Sequence, residues 1–233
     1  MNTLMTNLEH PVQIPSGHYF LNGLLYIPDN AQGIVLFVHG SGSSRFSVRN
    51  QFVAQSLNQA CLATLLFDLL SPDEENIDNY TREYRFNIPL LASRLVETTH
   101  WCLNELQSFR LPIGYFGAST GGGAALVAAA QIPDKVKAIV SRGGRPDLAR
   151  TYLSSVVAPT LLIVGGYDEV VIELNRQALT KLNCDKRLEI VPGATHLFEE
   201  PGALNEVARL AQNWFKQYLH ISNKDKINQI KSL

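Results

Sequence analysis

Three side chains that together can perform nucleophilic catalysis occur in a fixed order along this chain: Ser119, Asp168 and His196. A serine hydroxyl becomes an effective nucleophile when a histidine removes its proton and a carboxylate orients the histidine. Each of the three residues follows a short apolar run, and parallel sheets present their functional side chains at such strand ends. The order and the setting therefore predict a catalytic triad for acyl transfer.

The serine lies in the motif Gly-Ala-Ser-Thr-Gly at residues 117–121. An apolar run typical of a strand leads into it from Ile113, and an alanine-rich segment typical of a helix follows. A strand that passes directly into a helix needs a tight turn, and Gly117 and Gly121 stand where a side chain would collide with neighbouring backbone. This context is that of a nucleophile elbow. The alternative is a glycine-rich turn whose serine only caps the helix.

The candidate acid and base follow two later apolar runs. The run from Leu161 ends in two glycines and Asp168. The run from Leu188 leads into a loop that carries His196. The order serine, aspartate, histidine is that of α/β hydrolases and differs from the chymotrypsin order. Taken singly, Asp168 suits a helix cap and His196 a surface loop, and Asp147 is a rival acid. The glycines before Asp168 favour it, because they let its carboxylate turn toward the histidine.

An acyl-transfer site also needs two N–H donors for the oxyanion that forms on the substrate carbonyl. The residue after the nucleophile supplies one, here the backbone N–H of Thr120. The second comes from the loop after the third strand, where His-Gly-Ser-Gly at residues 39–42 resembles the oxyanion loop of esterases. That resemblance implies that the Ser41 N–H is the second donor. The His39 side chain is expected to support this loop by hydrogen bonding to backbone groups.

Strand-like and helix-like segments alternate along most of the chain. The alternation predicts one domain over residues 1–233, with a core at about 12–219 and a polar tail at 221–233. Its fold class is α/β, with a doubly wound, mostly parallel sheet flanked by helices.

Three details of this fold are also expected. A hairpin turned at Asn22-Gly23 precedes the first buried strand. Residues 71–79 form an acidic, polar excursion from the sheet, and residues 143–159 are too few for a large lid domain.

The composition is that of an ordinary globular protein, with 45% hydrophobic residues, 18% charged residues and a formal net charge of -1. This balance argues against nucleic acid or an anionic membrane as the main partner. Residues 1–10 lack the pattern of a signal peptide, and the 3 cysteines are widely scattered. These features predict a cytoplasmic protein with reduced, mostly buried thiols. The histidines lack the spacing of a zinc site, so neither a metal nor a cofactor is expected.

With the elbow at residues 117–122, Asp168 and His196, the chain resembles the dienelactone hydrolase family of α/β hydrolases from about residue 12 to residue 218. The resemblance implies an α/β-hydrolase fold and a hydrolase of esters or lactones. Type members of that family carry a cysteine at the position of Ser119 and a glutamate in the loop after the third strand. Residues 39–45 contain no acidic residue. These departures indicate an ordinary serine esterase mechanism.

We therefore expect a serine hydrolase that cleaves small, soluble carboxylic esters, lactones or thioesters through an acyl-enzyme. Two alternatives stay open: an acyltransferase that uses the same triad, and a catalytically silent scaffold that binds a ligand. Arg45 and Arg142 fall at the same end of the sheet as the triad, and each is a candidate for binding a substrate carboxylate. The sequence leaves the oligomeric state open.

Overall fold

The computed structural model describes residues 5–220 of the 233-residue chain. Its strands are β1 (Glu9–Ser16), β2 (Tyr19–Tyr26), β3 (Ile34–Val38), β4 (Ala63–Phe67), β5 (Ile113–Ala118), β6 (Val136–Arg142), β7 (Thr160–Gly165) and β8 (Lys186–Val191). Its helices are α1 (Val48–Gln59), α2 (Pro72–Thr81), α3 (Ile88–Glu105), α4 (Thr120–Gln131), α5 (Glu169–Lys181) and α6 (Ala203–Tyr218), with a 3₁₀ segment at Pro146–Ser155. The polar tail predicted at 221–233 lies outside the described residues.

The strands form one 8-stranded sheet in the order β1-β2-β4-β3-β5-β6-β7-β8. β1, β2 and β4 pair antiparallel, and from β4 across to β8 neighbouring strands are parallel. Every residue of β3 is buried, as expected where helices cover both faces of a parallel sheet. The predicted α/β fold class is confirmed. Within residues 5–220, no helix is long and apolar enough to cross a membrane.

Helices pack on both faces of the sheet and enclose two large apolar cores, with a small third cluster around Val164, Val171 and Ile172. On one face, α3 and α4 cover strand residues such as the fully buried Tyr115. On the other face, α1 and α6 cover Phe37 and Phe116, whose ring centroids are 4.9 Å apart. Because such cores are close-packed, the central strands hold the loops at their carboxyl ends in fixed positions.

The N-terminal hairpin is present, but its turn is at Gly17-His18 and the predicted turn at Asn22-Gly23 is wrong. Gly17 has φ +57°, which glycine adopts at little cost. Gly23 lies inside β2, where a Cβ would come within 3.0 Å of Val12 and 3.1 Å of Leu65. The second glycine therefore serves close packing within the sheet rather than a turn.

The acidic excursion is a capped and anchored helix, α2. The Ser71 hydroxyl accepts from the Glu74 N–H, and the Glu74 carboxylate accepts from the Ser71 N–H, which completes a capping box. Buried Arg94 of α3 donates to the Glu74 carboxylate at 2.7 Å and to the Ser16 carbonyl at 2.9 Å. These bonds join α2 to α3 and to the end of β1. The serine–glutamate spacing of the box was available in the sequence and marks the start of the helix.

The three cysteines are free and differ in exposure: Cys102 is buried, Cys184 half-buried and Cys61 exposed. The prediction of mostly buried thiols is therefore wrong for Cys61, which has φ +58° in the turn between α1 and β4. Burial raises the pKa of the Cys102 thiol well above its usual range, so this thiol is protonated at neutral pH.

Candidate active site

The turn between β5 and α4 holds Ser119 in an unusual backbone conformation, with φ 51° and ψ -121°. A positive φ is uncommon outside glycine, and close packing imposes it here. A Cβ on Gly121 would lie 2.1 Å from the Val38 carbonyl oxygen, and one on Gly117 would lie 2.6 Å from the Gly122 Cα. Ser119 occupies the N-cap of α4, yet its side chain makes no capping hydrogen bond. The hydroxyl is therefore left for other partners.

The Ser119 hydroxyl, the His196 ring and the Asp168 carboxylate form a chain of hydrogen bonds. His196 Nε2 lies 3.3 Å from Ser119 Oγ, and His196 Nδ1 lies 2.6 Å from Asp168 Oδ2. When Nδ1–H donates to the carboxylate, the lone pair of Nε2 faces the serine hydroxyl. The Asp168 side chain is 15% exposed and the His196 side chain 38% exposed, so solvent reaches the base more easily than the acid. The structure thus brings the three predicted residues together.

Asp147, the rival acid, has a different partner. Its two carboxylate oxygens accept from Nε and Nη2 of Arg145, each at 2.8 Å. Through this bidentate pair the Asp147 carboxylate raises the pKa of Arg145. Asp168 is the N-cap of α5 without a capping bond from its side chain. Of the two aspartates, only Asp168 faces the histidine.

Backbone contacts between two loops fix Asp168 relative to His196. The Gly166 N–H donates to the Val191 carbonyl at 2.8 Å. The N–H of the next residue donates to the Ala194 carbonyl at 2.9 Å. A Cβ on Gly165 would lie 2.5 Å from that same carbonyl oxygen. The glycines before the aspartate therefore allow the end of β7 to touch the loop that carries the histidine.

Gly143 supports the histidine ring and was not singled out from the sequence. It follows β6 with φ +52°, and a Cβ there would lie 3.4 Å from His196 Cε1 and 3.5 Å from His196 Nδ1. Its N–H donates to the Ile163 carbonyl at 2.7 Å, which ties this turn to β7. The glycine pair at 143–144, directly after a buried strand, was the signal in the sequence that could have indicated a close approach of another chain segment to this turn.

The predicted oxyanion loop lies directly against the nucleophile. A Cβ on Gly40 would lie 3.2 Å from the Ser119 Cβ. The Ser41 N–H donates to the Thr120 hydroxyl at 2.8 Å. The two residues predicted to supply oxyanion donors are therefore bonded to each other through the Thr120 side chain.

His39 braces this loop. Its Nδ1 lies 2.9 Å from the Gly40 carbonyl oxygen, and the Leu69 N–H donates to its Nε2 at 3.1 Å. Both bonds are satisfied by the neutral ring with its hydrogen on Nδ1. Burial lowers the pKa of His39 below its ordinary value, which keeps the ring neutral. With both ring nitrogens bonded to backbone, His39 is placed as a support of the loop and not as a base.

Arg45 is paired within the loop. Its N–H donates to Asp68 Oδ1 at 2.8 Å, and its guanidinium pairs with the same carboxylate. The charge of Arg45 is therefore compensated by Asp68, which closes the loop onto the end of β4.

Arg142 is buried at the end of β6 without an acidic partner within residues 5–220. It is 7% exposed, its Nη2 donates to Asn50 Oδ1 at a long 3.4 Å, and its Nε and Nη1 have no partner in the described part of the chain. Its Cζ lies 5.9 Å from the centroid of the Phe198 ring. Burial, together with nearby Arg49, lowers the pKa of Arg142 to about 10. The guanidinium stays charged at neutral pH, and its unpaired Nε and Nη1 are closed off from solvent.

A cavity of about 150 Å³ adjoins the oxyanion loop on the side of α2. Its wall includes Ser41, Gly42 and the acidic side chain of Glu75. Arg85 also lines it and pairs with buried Asp78, with Nε 2.5 Å from Oδ2. The cavity is therefore small and mostly polar. Within residues 5–220, no group of three histidine, cysteine or acidic side chains is placed to hold a metal ion.

A mostly parallel sheet, a serine held in a strained turn between strand and helix, and a serine–histidine–aspartate chain at the strand ends together define an α/β hydrolase. The chain belongs to the dienelactone hydrolase family, whose family model matches residues 21–222. The family indicated by the sequence motifs is confirmed.

Individual relatives match most of this chain, and a solved one bears the name of the family. A crystal structure of dienelactone hydrolase from Anabaena variabilis ATCC 29413 superposes with a TM-score of 0.90 at 60% identity, covering 91% of this chain and 99% of that one. Two Mycobacterium tuberculosis proteins, from strains CDC 1551 / Oshkosh and ATCC 25618 / H37Rv, bear the name "Putative phosphoribosyl transferase". They are 56% identical over 211 residues, which is 91% of this chain and 47% of theirs. The chain thus spans about half the length of the curated relatives it matches.

More distant structures share the fold. Est1E from Butyrivibrio proteoclasticus has a TM-score of 0.74 at 18% identity, covering 89% of this chain and 98% of that one. A second structure of Est1E, with ferulic acid bound, has a TM-score of 0.75. At this identity the likeness concerns the fold alone.

Proposed function

We propose that this protein is a serine hydrolase that cleaves small carboxylic esters, lactones or thioesters through an acyl-enzyme. The observation that supports this most strongly is the chain of hydrogen bonds from Ser119 Oγ through the His196 ring to Asp168. It lies where parallel strands end and a helix begins, so the N-terminus of α4 faces any negative charge that forms beside the serine.

In the proposed reaction, Ser119 Oγ bonds to the substrate carbonyl carbon while His196 Nε2 takes the hydroxyl proton. The π electrons of the carbonyl move to its oxygen, which the Thr120 N–H and the oxyanion loop stabilise. The bond to the leaving oxygen or sulfur then breaks, and the imidazolium returns its proton to that group. Water repeats the sequence on the acyl-enzyme, which releases the acid and restores the serine. Asp168 orients the ring throughout and stabilises its positive form.

A small, polar cavity beside the site favours small substrates. It has about 150 Å³ and is lined by the oxyanion loop and not by the three triad residues, and it suits a short acyl or alcohol group. The ferulic acid bound to Est1E supports adding a small aromatic ester to the substrates worth testing. A substrate carboxylate is proposed to meet Arg142, because Arg45 already pairs with Asp68.

The name of the M. tuberculosis relatives belongs to proteins about twice as long as the region they share with this chain. The side chains gathered at the site are those of acyl transfer, so we base no proposal on that name.

The test is labelling of the full chain with a fluorophosphonate probe, followed by hydrolysis of 4-nitrophenyl acetate, methyl ferulate, a small lactone and a thioester. Ser119→Ala should remove labelling and lower kcat by roughly a thousandfold or more, while circular dichroism shows an intact fold. His196→Ala should be comparably severe, and the double variant should lose little more, because the triad acts as a unit.

Ser154→Ala, at an exposed serine, is the matched control and should label like the wild type. Persistent labelling of Ser119→Ala would overturn the assignment. Release of one free acid for each ester consumed, with glycerol present, distinguishes hydrolysis from transfer to another acceptor.

A further inference from the structure

The Thr120 side chain sits between the two predicted oxyanion donors. Its Oγ1 accepts the Ser41 N–H at 2.8 Å, and its own backbone N–H is the other predicted donor. Thr120 is 5% exposed, so competing water is largely kept from this position. The Gly40 backbone presses the loop against the nucleophile, with an added Cβ only 3.2 Å from the Ser119 Cβ.

The hydroxyl hydrogen of Thr120 is free to donate. A hydroxyl has one hydrogen and two acceptor positions, and the Ser41 N–H uses only an acceptor position. Within residues 5–220 no hydrogen bond takes up the hydrogen. A donor that already accepts a hydrogen bond is polarised and becomes a stronger donor. The bond from the Ser41 N–H thus strengthens the hydroxyl next to the nucleophile.

We propose that the Thr120 hydroxyl is a catalytic oxyanion donor, which relays the hydrogen bond of the Ser41 N–H to the substrate oxygen. The inference rests on the proposed function and deepens it. The Ser41 N–H, which already donates to Thr120, acts through the Thr120 hydroxyl, and that hydroxyl joins the Thr120 N–H as a direct donor. As Ser119 Oγ bonds to the carbonyl carbon and His196 takes the proton, the carbonyl π electrons move to oxygen. Thr120 then donates a hydrogen bond to that oxygen without giving up its proton.

The proposal separates the hydroxyl of Thr120 from its methyl group. Thr120→Val keeps the shape of the side chain and removes the hydroxyl, whereas Thr120→Ser keeps the hydroxyl. Loss of one oxyanion donor lowers kcat by about a hundredfold to a thousandfold. In Thr120→Val, kcat should therefore fall by about a hundredfold to a thousandfold, while KM stays within roughly twofold of the wild-type value. In Thr120→Ser, both kcat and KM should stay near the wild-type values.

A transition-state mimic gives the readout that a merely structural hydroxyl would not move. The Ser119 oxygen adds to the carbonyl carbon of an aryl trifluoromethyl ketone. The adduct carries a negatively charged oxygen, which lies in the oxyanion hole. The inhibition constant of the ketone should weaken in Thr120→Val by about the factor lost in kcat, while a ground-state amide analogue binds as before. Thr120→Ser should restore tight binding of the ketone. If Thr120→Val does not fold by thermal melting, Thr120→Ala takes its place in both measurements.

Three results would overturn the proposal: wild-type kcat in Thr120→Val, equal loss in the valine and serine variants, or a rise in KM with unchanged ketone affinity. Each of them leaves Ser119 labelling and wild-type ester hydrolysis in place, so the proposed function would stand. An unlabelled, inactive wild-type protein would instead overturn the proposed function and this inference together.

Discussion

Ser119 and Asp168 both occupy N-cap positions, and neither side chain bonds its own helix. Serine and aspartate are preferred caps because their oxygens satisfy free N–H groups of the first turn. In this protein both oxygens face His196 instead. Forgoing a cap costs a helix about 1 kcal/mol. The missing caps therefore indicate another role for these two side chains, and we propose that Ser119 is the nucleophile and Asp168 the acid of the triad.

The choice between the two aspartates gives a direct prediction. Asp168→Asn should favour the wrong tautomer of His196 and lower kcat by roughly a thousandfold or more, because an amide can donate to Nδ1 where the carboxylate accepts. Asp147→Asn should change kcat little, since Asp147 pairs with Arg145. Steady-state kinetics on 4-nitrophenyl acetate measure both. A severe loss in Asp147→Asn with a mild loss in Asp168→Asn would reverse the assignment.

The His39 ring predicts a pH dependence of stability. Burial lowers its pKa below the ordinary value of 6.5, although the Gly40 carbonyl, Asp68 and Glu75 act in the opposite direction. Below pH 6.5 the unfolded chain binds a proton that the folded chain does not. The contribution of His39 to the free energy of unfolding is therefore fully present above pH 6.5. It decreases as the pH falls below that value, by up to about 1.4 kcal/mol per pH unit.

Urea unfolding between pH 7.5 and about pH 5 measures this slope, since carboxylates contribute mainly at lower pH. In His39→Gln the slope should flatten in that range. His100→Gln, at an exposed histidine, is the matched control and should keep the wild-type slope. An unchanged slope in His39→Gln would show that other groups produce it.

Among the elements, α2 forms part of the wall of the cavity beside Ser41. Its Glu74 carboxylate accepts from Arg94, and both side chains are buried. At the other end of α2, buried Asp78 binds Arg85. A helix bonded at both ends to its surroundings is expected to be a fixed wall of the cavity and not a lid.

Removing the buried carboxylate tests this anchoring. Glu74→Ala should lower the free energy of unfolding by about 3–5 kcal/mol, because it removes the close, buried carboxylate from the Arg94 guanidinium, whose other acidic neighbour, Glu97, is 4.0 Å away. Asp73→Ala, at the exposed neighbouring position, should cost no more than about 1 kcal/mol. Guanidinium chloride unfolding measures both. Equal, small losses would mean that the ion pair does not hold α2.

At the scale of the molecule, we expect the site to be open to solvent within residues 5–220, where the His196 side chain is 38% exposed. Between β6 and β7 only the 3₁₀ segment Pro146–Ser155 is inserted, and α2 is anchored. We therefore expect that, within residues 5–220, no extended apolar surface beside Ser119 receives a long acyl chain. Each methylene that such a surface buried would contribute about 0.8 kcal/mol, or roughly fourfold in kcat/KM.

A series of 4-nitrophenyl esters from acetyl to decanoyl, below their aggregation limits, should show kcat/KM that stops rising or falls after a few carbons. Acetyl and decanoyl esters share a leaving group, so the series isolates the acyl chain. A steady rise of kcat/KM toward the decanoyl ester would contradict this expectation. It would show that α2 moves to cover the acyl chain or that another groove binds it.

Local pattern was sufficient to predict the framework and the triad. The buried strands are apolar runs, the elbow is a glycine-flanked serine between a strand and a helix, and parallel strands place their carboxyl ends together. The order Ser119, Asp168, His196 was therefore the arrangement favoured over one with Asp147, and the structure has these three side chains within hydrogen-bonding distance. The start of α2 was also present in the sequence, as the capping box.

Only the tertiary structure decided features that depend on residues far apart in the chain. Gly23 packs against Val12 and Leu65 instead of forming a turn, because register and burial outweigh the local preference of asparagine–glycine. Asp68, which is distant in sequence, forms an ion pair with Arg45 and compensates its charge. The Ser41 N–H meets the Thr120 hydroxyl because two loops from adjacent parallel strands are pressed together. Such contacts have no periodicity or spacing along the chain, since they are set by how strands from separate segments align in one sheet.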